Sequence, residues 1–162
     1  MANGLKVYHL PQVPVCQGDV AFLSVFNCLP LVRQILIREQ VDIVHGHQST
    51  SIIQHCVLMA AKSFGLKTVF TEHSLFGYND FSGIHINKLV KWTFRDLDAA
   101  ICVSNACKDN FVLRAKFDPR KTFTIPNAVD FNRFTPDVTL REQELAKSGK
   151  PDQINIVYIS RL

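Results

Sequence analysis

The chain has 162 residues, 47% hydrophobic and 20% charged. That balance supports one globular domain with a real core and excludes a disordered chain. Eighteen basic against fourteen acidic residues leave a net charge of +4. The charge is diffuse, without the Lys/Arg block of nucleic-acid binders, and suits an anionic ligand or an anionic membrane surface.

Leu5 to Leu10 alternates weakly and stops at Pro11, which predicts a strand, with Pro11 to Asp19 as loop. Val20 to Gln40 keeps helical spacing through Phe22, Phe26, Leu29, Val32 and Leu36, with a kink expected at Pro30. Val41 to His45 predicts a strand, and Ser49, Thr50 or Ser51 caps a helix to about Phe64, closed by Gly65. Leu66 to Thr71 is the next strand. Gly77 to Gly83 reads as a loop tip carrying Tyr78 and Phe81. Asn87 to Leu97 reads as a helix burying Leu89, Val90, Trp92, Thr93 and Phe94. Ala99 to Val103 is a strand, Ser104 caps a helix through Ala115, Asp118-Pro119 marks a turn, and Thr122 to Ile125 is a short strand. The polar stretch after Asp130, with Pro136, Gly149 and Pro151, reads as a linker, and Ile154 to Ile159 as one more strand.

Strands and helices alternating at these lengths imply βαβ crossovers and a parallel sheet. Strands that read as apolar runs imply a sheet covered on both faces. The five cysteines (Cys16, Cys28, Cys56, Cys102, Cys107) are odd in number and irregular in spacing, and read as buried free thiols of a reducing compartment. The start, Met1 to Val7, runs straight into a strand pattern with no signal peptide expected, and no apolar run approaches the ~18 residues that span a bilayer. Neither G-x-G-x-x-G nor a Walker A pattern is present.

Three strands end in polar residues: Asp42 to His47, Thr68 to Ser74, and Ala100 to Ser104. Sites of open α/β sheets lie outside the carboxyl ends of parallel strands, so these ends point to one crevice. His45 and His47 would share a face within a strand. At a strand end, with Gly46 permitting unusual backbone angles, one would pack inward and the other face the crevice. A neutral histidine there can donate to a phosphate or hydroxyl, or act as a base near pH 7. The alternative is a pair of structural histidines. Glu72, His73 and Ser74 add a second acid–base cluster. Ser104 opens a helix whose free N–H groups suit an anion, with ordinary capping the alternative.

In order, H-x-H at His45 to His47, T-E-H-S at Thr71 to Ser74, C-V-S at Cys102 to Ser104, I-P-N-A-V-D at Ile125 to Asp130 and S-R-L at Ser160 to Leu162 resemble the retaining GT-B-fold glycosyltransferases of the family 4 type. Val69 to Gly77, Asn87 to Leu89, Ile101 to Ser104 and Ile125 to Asp130 are similar, within that group, to the catalytic-subunit family of the phosphatidylinositol N-acetylglucosaminyltransferases, which open glycosylphosphatidylinositol (GPI)-anchor biosynthesis. The resemblance implies a Rossmann-like parallel α/β sheet, the N-terminal half of a GT-B enzyme lacking its first strand and nearly all of its C-terminal domain. Residues 1–130 would form a partial acceptor-side domain, 131–153 a linker, and 154–162 the first strand of the donor-binding domain.

It further implies transfer of N-acetylglucosamine from UDP-GlcNAc to phosphatidylinositol with retention, with no redox cofactor and no metal. His47 would be catalytic, near the acceptor and the donor phosphates. His45, Glu72, His73 and Ser74 would line the acceptor side, and Arg161 with Ser104 the donor diphosphate. The implied partners are other subunits of a membrane GlcNAc-transferase complex and the membrane itself, at the cytoplasmic face of the endoplasmic reticulum. The glycine-rich opening loop, the sugar-binding glutamate pair and the C-terminal anchor of that family are not in these residues, and the 162 residues alone are expected to be inactive. Two other readings stand beside this one: a non-catalytic interaction module, and a metal-dependent hydrolase using His45, His47 and His73.

Overall fold

The computed structural model describes residues 4–10, 14–16, 19–20, 24–75 and 81–148. The chain divides into two units, Met1–Asn127 and Ala128–Leu162. The first opens with a short antiparallel pair, β1 (Pro14–Cys16) and β2 (Asp19–Val20), followed by α1 (Ser24–Arg38). Then β3 (Ile43–His47), α2 (Ile52–Ser63), β4 (Lys67–Glu72), α3 (Phe81–Thr93), β5 (Ala99–Cys102), α4 (Asn105–Ala115), a 3₁₀ turn (Pro119–Lys121) and β6 (Thr122–Thr124) follow in strict alternation. The second unit holds α5 (Val138–Ser148), capped where the Asp137 carboxylate accepts the backbone N–H groups of Thr139 and Leu140.

The four strands β3 to β6 form one parallel sheet in chain order, with Gly46 beside Phe70, Phe70 beside Ala100 and Ala100 beside Thr122. Neighbours across a parallel ladder share a face. One face therefore carries Val44, Gly46, Thr68, Phe70, Glu72, Ala100 and Cys102, all buried. The other carries Ile43, His45, His47 and Phe123, which are exposed, with Val69 and Ile101 half-buried and Thr71 buried among them. Against the expectation of a sheet covered on both faces, within the described residues the first face is covered throughout and the second only in part. A strand order that never reverses, joined by right-handed crossovers, puts successive helices on the same side.

The core lies on that covered face. Phe70 packs against Phe94, just past α3, at a centroid distance of 4.3 Å, and against Phe111 of α4 at 5.6 Å. Leu58 and Ala61 of α2, Val90 of α3 and Cys107 of α4 complete it. Gly65 ends α2 at a left-handed φ of +75°, where its own N–H reaches the Lys62 carbonyl and that of Leu66 reaches the Ala61 carbonyl. Asp98 ties three elements at the amino edge of the sheet. Its carboxylate accepts from Lys62 Nζ of α2 at 2.7 Å, from Thr68 N at 2.9 Å and from Lys67 Nζ at 3.3 Å.

Several expectations shift. Leu5 to Leu10 forms no strand; Lys6 and Tyr8 instead bond the Glu39 carboxylate beyond α1. Two short strands stand in the segment around Pro11 to Asp19 that reads as loop, the second reaching Val20. The first helix begins at Ser24 rather than Val20, and α3 begins at Phe81, six residues ahead of the expected Asn87. Ser51, one of the three expected caps, directly precedes α2. Trp92, assigned to the buried side, is 62% exposed, whereas Val90 and Phe94 are buried as expected. The stretch read as linker contains the eleven-residue α5. Gly77, Tyr78, the strand from Ile154 to Ile159, and Arg161 lie outside the described residues. Among the described residues Cys28, Cys56, Cys102 and Cys107 form no disulfide, in line with the expectation of reduced thiols. Among the described residues no helix is long and apolar enough to cross a membrane.

Gly46 has no positive φ; its requirement is steric. A Cβ there would meet Gln54 Oε1 at 2.4 Å and Leu58 Cδ1 at 2.9 Å, both on the buried side of α2. Gly46→Ala is expected to cost about 1–3 kcal/mol by overpacking, read from a lowered urea midpoint at unchanged m.

Burial acts to raise the Asp98 pKa, but the Lys62 and Lys67 ammonium groups and the two Thr68 donors outweigh it and hold the carboxyl well below the usual range. The folded-state value is depressed, so the contribution is complete above the ordinary value of 3.8 and is lost as pH falls towards the depressed one. Asp98→Asn is expected to be destabilised most at neutral pH, with its gap to the parent closing in acid. Urea midpoints measured from about pH 7 to pH 2 test this; a pH-independent gap contradicts it.

Candidate functional site

The carboxyl edges of β3 and β4 place three imidazoles in a row on the partly open face. β3 runs two residues further than the sequence reading, so His45 and His47 stay in strand geometry and point the same way. Their rings stack at 4.4 Å, and His47 stacks on His73 at 5.4 Å. His47 Nδ1 and His73 Nε2 share a hydrogen bond of 3.1 Å, and His45 Nε2 lies 2.7 Å from Thr71 Oγ1. Burial, and then the neighbouring His47 and His73, lower the His45 pKa, keeping that ring neutral at physiological pH. Faces stacked in this way do not aim three lone pairs at one point. Among the described residues no group of three His, Cys, Asp or Glu side chains is arranged to hold a metal ion.

Immediately after β3 the backbone turns through Gln48 at φ +69°, a left-handed conformation costly for a residue with a side chain. The turn is held by Gln48 N–H donating to the Thr71 carbonyl at 3.0 Å and by Gln48 Nε2 donating to Ser74 Oγ at 2.7 Å. Ser74, one of the expected site residues, is therefore bound to the turn that carries His47.

Glu72 faces the other way. Its side chain is fully buried on the covered face and meets the equally buried Arg114 of α4 at 2.9 Å. Ser49 Oγ also donates to Glu72 Oε2. The second carboxylate oxygen accepts the backbone N–H groups of His73 at 3.1 Å and Ser74 at 3.2 Å. Cys107 adds sulfur contacts to the carbonyls of Glu72 and Ser74, and burial holds its thiol proton on. His55 Nε2 donates to the Ser49 carbonyl at 2.7 Å, anchoring the loop from the α2 side. Glu72 thus reaches no crevice. It fixes the backbone from which His73 projects.

Ser104 caps α4, its Oγ accepting the Cys107 N–H at 3.1 Å, so ordinary capping accounts for it. The structure brings together His45, His47, His73 and Ser74, places Glu72 beneath them, and sets Ser104 at the start of α4. Sequence reasoning missed Gln48, Ser49 as a Glu72 partner, and Arg114. Arg114 had a readable signal: with Cys107, Phe111 and Ala115 it falls on the buried stripe of α4, where an arginine calls for a buried counter-charge. Gln54 gave none. Its buried amide finds no partner among the described residues and lines a cavity of about 320 Å³ beside His45 and His47.

Arg114→Met leaves the Glu72 carboxylate buried without its cation, at an expected cost of about 3–5 kcal/mol. Glu72→Gln combined with Arg114→Met is expected to recover part of that loss. A loss in the double variant equal to the sum of the losses in Glu72→Gln and Arg114→Met alone, measured by urea unfolding, would show that the pair does not couple.

Comparison with known proteins adds a second kind of observation. A family model described as PIGA (GPI anchor biosynthesis) matches residues 1–80. The whole chain is 46% identical over 164 residues to a phosphatidylinositol N-acetylglucosaminyltransferase subunit of Arabidopsis thaliana, covering 34% of that protein. It is 44% identical over 162 residues to the Homo sapiens protein of the same name, covering all of this chain and 31% of that protein. The chain spans about a third of the length of these curated relatives. Among solved structures, the UDP-GlcNAc 2-epimerase of Neisseria meningitidis bound to UDP-GlcNAc superimposes with a TM-score of 0.54 at 14% identity, over 82% of this chain and 37% of that one. That likeness is one of fold and supports the Rossmann-like α/β assignment.

Proposed function

We propose, from a chain that belongs to the PIGA family of phosphatidylinositol N-acetylglucosaminyltransferase subunits, that these residues form the acceptor-side half of a glycosyltransferase. The proposed reaction moves N-acetylglucosamine from UDP-GlcNAc to phosphatidylinositol, the step that opens GPI-anchor biosynthesis. The observation that carries the reading is the hydrogen-bonded His47–His73 pair at the carboxyl edge of a parallel sheet, the position at which open α/β folds bind ligands.

An acceptor hydroxyl must give up its proton as the glycosidic bond forms. A neutral histidine can take that proton or donate to an oxygen, and the bond between His47 Nδ1 and His73 Nε2 links the two roles. When His47 Nδ1–H donates to His73, His47 Nε2 presents a lone pair to the acceptor. When His73 Nε2–H donates to His47, His47 Nε2 presents an N–H instead. His45, held by Thr71, packs against the His47 ring and limits its orientation. Ser74 and Gln48 hold the turn beside them. Arg161 of the S-R-L motif is the proposed contact to the donor diphosphate, where a positive group stabilises the leaving charge. No redox cofactor or metal enters this scheme. The same reading places the protein with other subunits in a complex at the endoplasmic reticulum membrane, on its cytoplasmic side.

His47→Ala in the complete protein is expected to lower transfer of labelled N-acetylglucosamine to phosphatidylinositol at least about 100-fold, the usual worth of a general acid–base group, with the far-ultraviolet circular dichroism unchanged. Turnover near the parent level in a folded variant removes His47 from the reaction.

A further inference from the structure

The end of the sheet opposite the histidines carries a second feature. In a parallel βα array, α3 and α4 both finish at the amino edge, because each leads into the start of the next strand. At that edge Lys88 and Lys91 of α3, Arg95 just beyond it, Lys116 at the end of α4 and Lys121 in the turn before β6 surround a depression of about 610 Å³. All five are exposed. Trp92 stands on the rim, 62% exposed, and is the chain's single tryptophan.

The cluster is not neutralised by the acid beside it. Asp118 is the one acid among the described residues lining the depression, and its carboxylate is already engaged by Arg120 Nε at 3.2 Å and Arg120 Nη2 at 3.0 Å. Asp96 lies in the neighbouring depression, which shares Trp92. Lys91 and Lys116 are close enough that the Lys116 charge lowers the Lys91 pKa. Lys116 also sits at φ +51°, in the left-handed helix-end position that glycine or asparagine ordinarily fills. A lysine held there at a conformational cost adds to a concentration of positive charge with no internal purpose.

We propose that this basic depression, with Trp92 at its rim, is the docking surface for an acidic segment of a partner polypeptide. The inference rests on reading the chain as one subunit of an assembly. Charge complementarity sets the chemistry: five cations around a concavity favour closely spaced Asp and Glu side chains, and like-charge repulsion between Lys91 and Lys116 is relieved when a carboxylate enters between them. Trp92 supplies the large, rigid contact area that anchors protein interfaces. Position separates a polypeptide from a bilayer. A membrane at the amino edge would hold the histidine end of the sheet away from the lipid acceptor, whereas a bound segment leaves the carboxyl edge open. A depression also admits a chain more readily than a flat lipid surface.

The test places the photoreactive residue p-benzoylphenylalanine at Trp92 of the protein isolated with the chains it carries in its native membrane, and maps the cross-linked peptides. The expected result is one cross-linked segment rich in Asp and Glu, in a chain present at a fixed ratio to this one. Its yield is expected to fall about tenfold in Lys91→Glu with Lys116→Glu, and likewise when salt rises from about 0.05 to about 0.5 M, since exposed charges are screened over a shorter Debye length. Cross-links to phospholipid, to a segment without acidic character, or of a yield indifferent to charge reversal each overturn the proposal, as does the absence of any cross-link. Sugar transfer assayed on the same preparation keeps the two readings apart. An active preparation with no acidic cross-link sinks the docking surface alone, and an acidic cross-link in a preparation inactive towards phosphatidylinositol sinks the transferase reading alone.

Discussion

The buried pair of Glu72 and Arg114 holds the rest in place. A carboxylate and a guanidinium with no exposed surface are tolerable inside a protein only when each is answered by charge and hydrogen bonds. Here Glu72 is answered by Arg114, by Ser49 Oγ, and by two backbone N–H groups from the very loop that carries His73. One side chain therefore joins β4, the loop after β3 and α4. Such a pair adds little net stability over a well-packed apolar substitute, but it fits only one mutual arrangement of the three elements. That specificity is what a pair of histidines sharing a 3.1 Å bond requires.

The division of labour between the faces of the sheet follows from the same few residues. Along β4 the side chains alternate, so Phe70 and Glu72 go down into the helices while Thr71 and His73 stay up. The downward pair spans two kinds of contact, an aromatic cluster under the middle of the strand and an ionic one under its carboxyl end. Alternation on β3 makes the same split. Gly46 lies against α2 with no room for a methyl group, and the histidines on either side of it are lifted onto the open face. Close approach of α2 and the spacing of H-x-H are thus one fact seen from two sides.

Element order was legible because strands and helices here differ in period and end on recognisable residues. Gly65, Ser104 and the Asp118-Pro119 turn stand where the sequence places them. The strand ends of polar residues were legible for the same reason, and the three histidines meet. What the sequence could not reveal was direction. His45 and His47 share a face because β3 extends two residues beyond its apolar run, and apolar content does not report where a ladder stops. Glu72 sits directly before His73 and reads as part of the same cluster, yet alternation turns it inward to a partner 42 residues away. Trp92 reads as core by its hydrophobicity, but its position on α3 leaves it facing solvent. Sheet coverage depended on strand order, which no single segment encodes.

Strand order has a consequence for how the chain reaches this structure. Each parallel strand pairs with the next one in sequence, so every ladder is closed by a single intervening helix. Loops of that length cost little closure entropy, and relative contact order stays low for a parallel sheet. A chain emerging from the ribosome can therefore add one strand–helix unit at a time to a sheet already formed, without waiting for a distant segment. The exception is the inward glutamate, whose cation arrives only with α4. Burying that carboxylate without its cation is costly, so the carboxyl end of β4 can settle into its final packing only once α4 has docked.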